Sequence, residues 1–330
     1  MSGRISPTEA RFARADIGAG MYESWYARLV SPDQPLAVWI RYTIDKLPGR
    51  EATGTLWFTL FEGERDRPLA RRQTGQPADV PAGEWVRVGE STIGGGALNG
   101  RCFEAGWDLT WEPRAPVLFH LPRAKLYEFP VPKTNPISPV PDGDFNGEIR
   151  VGDRRIRVDG WRGMIGHNWG SEHAERWIWL HGSGFEEDPD AWIDIAMGRL
   201  KIAGRLLPWV CNGAVHINRE TRRVGGLFAT GVKVDETPTR LEASVPVSGR
   251  RKLNLEVESP PNLTVGWRYG DPADPEAHAH EVANCSAASM TARLSGGGSE
   301  TVLRTDHGAA YELGMAETDH GVPISEGLPS

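Results

Sequence analysis

Between Gly163 and Phe185 the chain reads GMIGHNWGSEHAERWIWLHGSGF, with three Trp, three His, two Glu and one Asn in 23 residues. Aromatic surface beside titratable groups is how a pocket grips and orients a large, mostly apolar molecule. Trp177, Trp179 and His181 recur at period two, so a strand would turn all three to one side. One chemistry that an acid beside such a wall allows is protonation of a carbon–carbon double bond. That step needs an acid held neutral until used, and burial in an apolar wall raises a carboxyl pKa. The cation formed needs a π-face, and Trp is the best one. Four carboxylates are candidates: Glu23, on the face of Trp25; Asp108, beside Trp107; Glu172; and Asp194, within WIDIAMG. A carboxylate in so apolar a strand as that of Asp194 is either a titrating group or the partner of an arginine. His167 fits a proton shuttle, a donor to a substrate oxygen, or a buried ring bonded to backbone. Asn168 fits a carbonyl or hydroxyl anchor, or a turn cap. Asn212 and His216 alternate on WVCNGAVHIN and could add polar groups. The spacing of His167, His173 and His181 suits no helix or hairpin ligand pair, so no metal is expected.

The elements that must position these residues are strands. Glu23, Trp25, Ala27 and Leu29 share one face. Leu36, Val38, Ile40, Tyr42 and Ile44 share another, with Trp39, Arg41 and Thr43 opposite. Trp57 and Phe61 oppose Leu56, Phe58 and Leu60, and Phe103 to Trp111 alternates throughout. The pattern is that of half-buried antiparallel strands separated by turns such as Pro48-Gly49 and Gly94-Gly95-Gly96. Leu118 to Val140 holds five prolines and reads as an extended or irregular connection. A hairpin is expected from strands 147–151 and 154–159. Further strands are expected at 177–185, 191–200, 208–218, 224–234, 252–258, 263–269, 285–294 and 300–304. Only the first ~15 residues and Pro275–Val282 look helical. There is no βαβ alternation, no G-x-G-x-x-G entering a helix and no G-x-S-x-G elbow, so a dinucleotide fold and an α/β-hydrolase are excluded. The expected fold class is all-β, two tandem lipocalin-like antiparallel barrels or sandwiches. An arm over 1–20 precedes domains at 21–172 and 173–330.

Composition narrows the partners. A chain of 330 residues with net charge −7 and no basic run is not a general nucleic-acid binder. Cys102, Cys211 and Cys285 are odd in number and widely spaced, which fits a reducing cytoplasm. No segment has the length and apolarity to span a membrane as a helix. The oligomeric state stays open, a homodimer included.

ESWY (Glu23–Tyr26), HNWG (His167–Gly170) and WIW (Trp177–Trp179), in that order, resemble the tocopherol cyclase and carotenoid 1,2-hydratase (hydroxyneurosporene synthase) group. That group includes lipocalin-like proteins and Diels–Alder cyclases of polyketide pathways. The resemblance spans roughly residues 20 to 320. It implies two lipocalin-type barrels with the ligand at or between them, and chemistry without a redox cofactor: hydration of an isoprenoid double bond, ring closure, or pericyclic closure of a polyene. The chain departs from the pattern where an acid is expected just before His167, since that residue is Gly166. A second acidic position is Asn168, and the second aromatic of the first motif is Ser24. The family's proton donor is therefore missing.

The expected function is addition of water to, or ring closure at, a carbon–carbon double bond of a hydrophobic terpenoid- or polyketide-like molecule, with no cofactor. Trp25, Trp169, Trp177 and Trp179 would shape the pocket. His167, Asn168 and either Glu23 or Asp194 would orient the substrate and move the proton. Trp107, Glu172, His173, His181 and Asn212 would complete the lining. Two rivals remain, a carrier of lipophilic ligands without chemistry and a cyclase that works by shape alone.

Overall fold

The computed structural model describes residues 5–13, 20–128, 134–202, 205–226, 229–271 and 274–329. The first sheet takes β1 (Met21–Val30), β2 (Leu36–Lys46), β3 (Thr53–Glu62), β4 (Leu69–Asp79), β5 (Val86–Val88), β6 (Ser91–Gly94), β7 (Ala97–Cys102), β8 (Ala105–Pro113), β9 (Leu118–Phe119), β10 (Thr134–Val151) and β11 (Arg154–Gly170). Strands β1 to β8 follow one another as antiparallel neighbours. β8 then pairs with β10, β10 with β11, and β11 with β1, which closes the ring. The second sheet takes β12 (Arg176–Gly182), β13 (Trp192–Arg199), β16 (Val210–Ile217), β17 (Glu220–Gly225), β18 (Lys233–Thr237), β19 (Arg240–Val247), β20 (Arg251–Glu258), β21 (Val265–Asp271), β22 (Asp274–Gly296) and β23 (Ser299–Met315). Between β13 and β16, β14 (Lys201–Ile202) and β15 (Arg205–Leu206) form a separate ladder. Its ring runs β12–β13–β16–β17–β19–β20–β22–β23 and back to β12, and Val224 opposite Val247 makes the β17–β19 closure. The fold is thus all-β, two closed antiparallel barrels in tandem. Among the described residues no helix is long and apolar enough to cross a membrane.

The two segments expected to be helical are not. Residues 5–13 form bends and a turn, and residues 1–4, 14 and 15 lie outside the described residues. Residues 275–282 belong to β22, whose Val282 and His280 pair with Trp267 and Tyr269 of β21. Ladder partners override the weak helical preference of Ala, Glu and His there. The strand expected from Phe103 starts at Ala105, because Phe103 sits at φ 56° in the tight β7–β8 turn. The strand expected over 224–234 is also replaced. β17 ends at Gly225, β18 begins at Lys233, and residues 227 and 228 lie outside the described residues. The connection at 118–140 is less irregular than expected, since Thr134–Val140 already belongs to β10.

The main correction concerns burial. β1, β2 and β3 are buried on both faces rather than half-buried. Leu36, Val38, Ile40, Tyr42, Ile44, Leu56, Phe58 and Leu60 fill the first barrel. The opposite faces carry Val30, Ala37, Trp39, Trp57 and Phe61, which join the hydrophobic cluster of the second barrel. Trp57 meets Trp39, Trp267 and Tyr269 edge to face at ring distances of 6.5, 5.1 and 5.5 Å. The bores themselves are packed: Trp25, Tyr42, Phe58 and Phe145 of the first barrel are fully buried.

Segments near both ends of the described chain are tied down. Ala10 and Phe12 enter the core of the first barrel. The C-terminal tail bridges the barrels: Ser325 N–H donates to the Gly266 carbonyl, and Arg72 N–H donates to the Gly327 carbonyl. A fragment ending at residue 172 should therefore expose the Trp39–Trp57 face. It should bind a hydrophobic dye or aggregate, whereas co-expression with 173–330 should suppress both. A dye-silent, monomeric fragment would contradict this account.

Candidate functional site

The expected site residues fall into three places. The first is one end of the first barrel. Strand pairing sets Trp25 opposite His167 and Glu23 opposite Trp169, all facing inward. His167 stacks on Trp25 at 4.5 Å and lies 5.0 Å from Trp169. Glu23 and His167 are fully buried, with His167 Nε2 2.8 Å from Glu23 Oε1. The remaining partners of both come from the N-terminal segment. The backbone N–H groups of Arg11 and Phe12 donate to Glu23 at 2.8 to 2.9 Å, and His167 Nδ1 donates to the Pro7 carbonyl at 2.8 Å. Arg11 covers the Trp169 ring at 4.8 Å. Every strong hydrogen-bonding direction of this pair is taken by protein, so it acts as a latch for residues 5–13. Trp107 is deeper in the same core, stacked on Phe58 at 5.8 Å and donating from Nε1 to Tyr42 Oη at 2.8 Å. Glu23, Trp25, Trp107, His167 and Trp169 are therefore not brought together with Trp177, Trp179 or Asp194.

The second place is the contact between the barrels. Trp177, Trp179 and His181 do share a face, and it points out of the second barrel toward the first. Ile178 and Leu180 point into the bore. Trp179 meets Tyr26 edge to face at 5.1 Å. Tyr26 occupies the space above Gly166: a Cβ at position 166 would overlap its ring and hydroxyl. The departure at Gly166 thus has a packing cause, an aromatic ring standing where a side chain would begin. Burial, with Asp194 and Glu312 nearby, pushes the Tyr26 phenol well above its ordinary pKa, so it stays a neutral donor. Ser24 Oγ donates to Asn168 Oδ1 at 2.6 Å. Arg28, fully buried, donates to the Ser286 carbonyl at 2.7 Å, and its Nη1 lies 3.4 Å from His181 Nδ1. Burial lowers the Arg28 pKa to about 9 and, with the Arg28 charge, that of His181 to about 4. His181 is thereby neutral, and its Nε2 donates to the Pro141 carbonyl at 3.0 Å.

Asp194 sits opposite His181 on β13. Ser138 Oγ donates to its Oδ2 at 2.5 Å, and His120 Nε2 lies 3.1 Å from Ser138 Oγ and 3.5 Å from the same carboxylate oxygen. This Ser–His–Asp cluster is not a hydrolase triad, because both partners address one imidazole nitrogen and the serine proton points at the carboxylate. Burial opposes ionisation of Asp194, but His120, His181 and Ser138 outweigh it, and the carboxyl is held below its usual range. It is a neutral-pH carboxylate, not an acid. His120 Nδ1 lies 3.5 Å from the Asn212 backbone carbonyl.

The third place is a cleft of about 180 Å³ where β1–β4 face β21, lined by Tyr22, Arg41, Thr43, Asp45, Thr55, Trp57, Arg72, Thr74, His173, Arg268, Tyr269 and Gly270. His173 stacks on Tyr22 at 4.3 Å and on Trp177 at 5.2 Å, which itself stacks on Tyr269 at 6.3 Å. Trp177 lies against Gly314, where a Cβ would overlap the indole, and its Nε1 donates to Glu312 Oε1 at 3.0 Å. Tyr22 is paired across strands with Asp45. Burial raises the Asp45 carboxyl to about 6, Arg41 partly opposing. Glu172 borders this region through its backbone carbonyl, which accepts from Thr134 Oγ1 at 2.9 Å. Sequence reasoning found His173 and Trp177 but missed Tyr22, Arg41, Asp45 and Tyr269. The available signal was Trp39, Arg41 and Thr43 on the second face of β2, an aromatic-and-charged stripe too rich for a plain solvent face.

No family model matches the chain. A Mycobacterium tuberculosis protein of uncharacterised function is 27% identical over 94% of this chain and 91% of its own length. Three solved structures share the fold at lower identity. One is designated AttH, from Nitrosomonas europaea, with TM-score 0.55, 12% identity and coverage of 95% and 98%. Kievitone hydratase from Nectria haematococca has TM-score 0.54, 10% identity and coverage of 90% and 89%. CghA has TM-score 0.62, 10% identity and coverage of 94% and 90%. The chain therefore shares its tandem-barrel architecture, across nearly its whole length, with a fold group that includes a hydratase.

Proposed function

We propose that the inter-barrel cleft is the active site of a non-redox enzyme that adds water to, or closes a ring at, a carbon–carbon double bond of a hydrophobic, terpenoid- or polyketide-like molecule. The observation that carries this reading is Asp45, a carboxyl raised to about 6 inside an aromatic-walled cleft. It takes the place of the acid missing at Gly166. Its neutral form would give a proton to one alkene carbon. The cation left on the other carbon would face Tyr22, Trp57 and Tyr269. Water, or an internal nucleophile in a cyclisation, would bond to that carbon and return a proton to the Asp45 carboxylate, closing the cycle without a co-reactant. His173, stacked between Tyr22 and Trp177, is a positioning residue for this wall. The hydratase among the structural neighbours supports the reaction class by analogy only. The packed bores weigh against a carrier that holds its ligand inside a barrel.

Turnover is tested by incubating isoprenoid and polyene substrates with the protein in heavy-oxygen water and reading label in the product by mass spectrometry. Asp45→Asn should lower kcat/KM by roughly 10²–10⁴-fold. In the unaltered protein kcat/KM should fall as pH rises through about 6, where the acid form is lost. An Asn variant as active as the parent would remove Asp45 from the mechanism, and pH-independent ring closure would favour catalysis by shape.

The titration is also readable without substrate. Asp45 is raised in the folded state, so its contribution to stability is full below its ordinary 3.8 and lost as pH climbs through about 6. His181 is depressed, so its contribution is full above 6.5 and lost as pH falls through about 4. The two slopes oppose each other in the unaltered chain. In urea melts, Asp45→Asn should gain on the order of 1–2 kcal/mol over the parent at pH 7 and nothing at pH 3, and so lose stability more steeply on acidification.

A further inference from the structure

Arg41 is only 6% exposed; Tyr269 and the buried Glu312 help keep it charged, yet among the described residues no carboxylate lies within ion-pair distance of it, and its Nε has no hydrogen-bond partner. Its guanidinium lies over the Tyr269 ring at 4.5 Å and lines the cleft. A buried guanidinium with an unbonded N–H can still take an anionic partner. Arg72 and Arg268 also border this space. Arg72 lies over Trp57 at 5.2 Å and its Nη1 reaches the Arg268 carbonyl at 3.5 Å, while Arg268 is exposed at the mouth. Neither makes an ion pair among the described residues. Asp45 is the one carboxylate in the lining, with Glu312 buried behind it against Trp177 and Tyr269, so three arginines face two carboxylates. Its volume of about 180 Å³ has room for an anionic head and the first carbons behind it.

We infer that the cleft receives the anionic head group, a carboxylate or a phosphate, of an amphipathic substrate, with Arg41, Arg72 and Arg268 as its specificity-determining residues. Planar guanidinium groups match both oxyanions in fork geometry. The rings of Tyr22, Trp57 and Tyr269 flank the first carbons, which brings a double bond near the head within reach of Asp45. The inference rests on the active-site reading above and narrows its substrate class to hydrophobic acids or phosphate esters.

Binding rather than turnover tests it. Dodecanoate, dodecyl phosphate and dodecanol share one carbon chain and differ in the head. Their affinities for the full chain are measured by calorimetry at pH 8. At about 0.05 M salt an anion should bind roughly tenfold or more tightly than the alcohol, and the margin should shrink at about 0.5 M salt. The tighter of the two anions identifies the head group. Arg72→Gln and Arg268→Gln should each cut anion affinity several-fold and leave dodecanol unchanged. Arg41→Gln should cut it most, but Arg41 is buried and its loss threatens folding, so the two rim variants carry the test. Equal affinity for all three probes, no binding of any, or a preference that survives both rim variants would overturn the inference. Anion preference without turnover of any alkene would instead sink the proposed reaction and leave this inference standing.

Discussion

A strand in a closed barrel has one face for the bore and normally one for water. β1, β2 and β3 have no water face left, because the second barrel lies on it. Trp39, Trp57 and Phe61 contribute to the neighbour's hydrophobic cluster while Leu56, Phe58 and Leu60 fill their own bore. Large aromatic side chains dominate such contacts through the area they remove from water. The cleft exists only because that face is not apolar throughout. Where Arg41, Thr43 and Asp45 replace hydrophobic residues on β2, the barrels cannot close on each other, and polar space is left between them.

The rest of the contact is held by buried polar groups rather than by oil alone. Arg28 bonds the Ser286 carbonyl, His181 bonds the Pro141 carbonyl, and Ser138 bonds Asp194. Each runs from one barrel to the other, and each has a direction as well as an energy. An apolar contact tolerates sliding, whereas a guanidinium aimed at one carbonyl does not. The pairs thus fix the rotation of one barrel on the other, and with it the distance between the β1–β4 and β21 walls of the cleft.

Much of the fold was legible because period-two alternation is strong in β1, β2, β3 and β8, and because no helical periodicity competes over most of the chain. The β16–β17 hairpin was not legible. Its turn is Asn218-Arg219, both at positive φ, and arginine gives no turn signal there. The site was half legible. Trp177, Trp179, His181 and Asp194 share a side of the second barrel, as alternation implies. Sequence proximity was misleading for His167 and Trp169, which are close to Trp177 along the chain but point into the other barrel's bore. Asp45 was invisible for a different reason. Its environment is made by residues more than a hundred positions away, His173 and Tyr269, and no local pattern records a contact between domains.

The C-terminal tail joins Gly266 of one barrel to Arg72 of the other through single backbone hydrogen bonds, beside the cleft mouth. Mechanically it is a short strap laid over the tryptophan seam itself, since Gly266 adjoins Trp267 and Arg72 lies over Trp57. Strap and seam therefore reinforce one and the same edge of the contact between the barrels. The strap is further fixed by Val322 against the second-barrel core and by His320 2.7 Å from Glu281. Residues 325–327, far along the chain from β4, thereby hold the backbone of a cleft-lining residue, Arg72, against the second barrel.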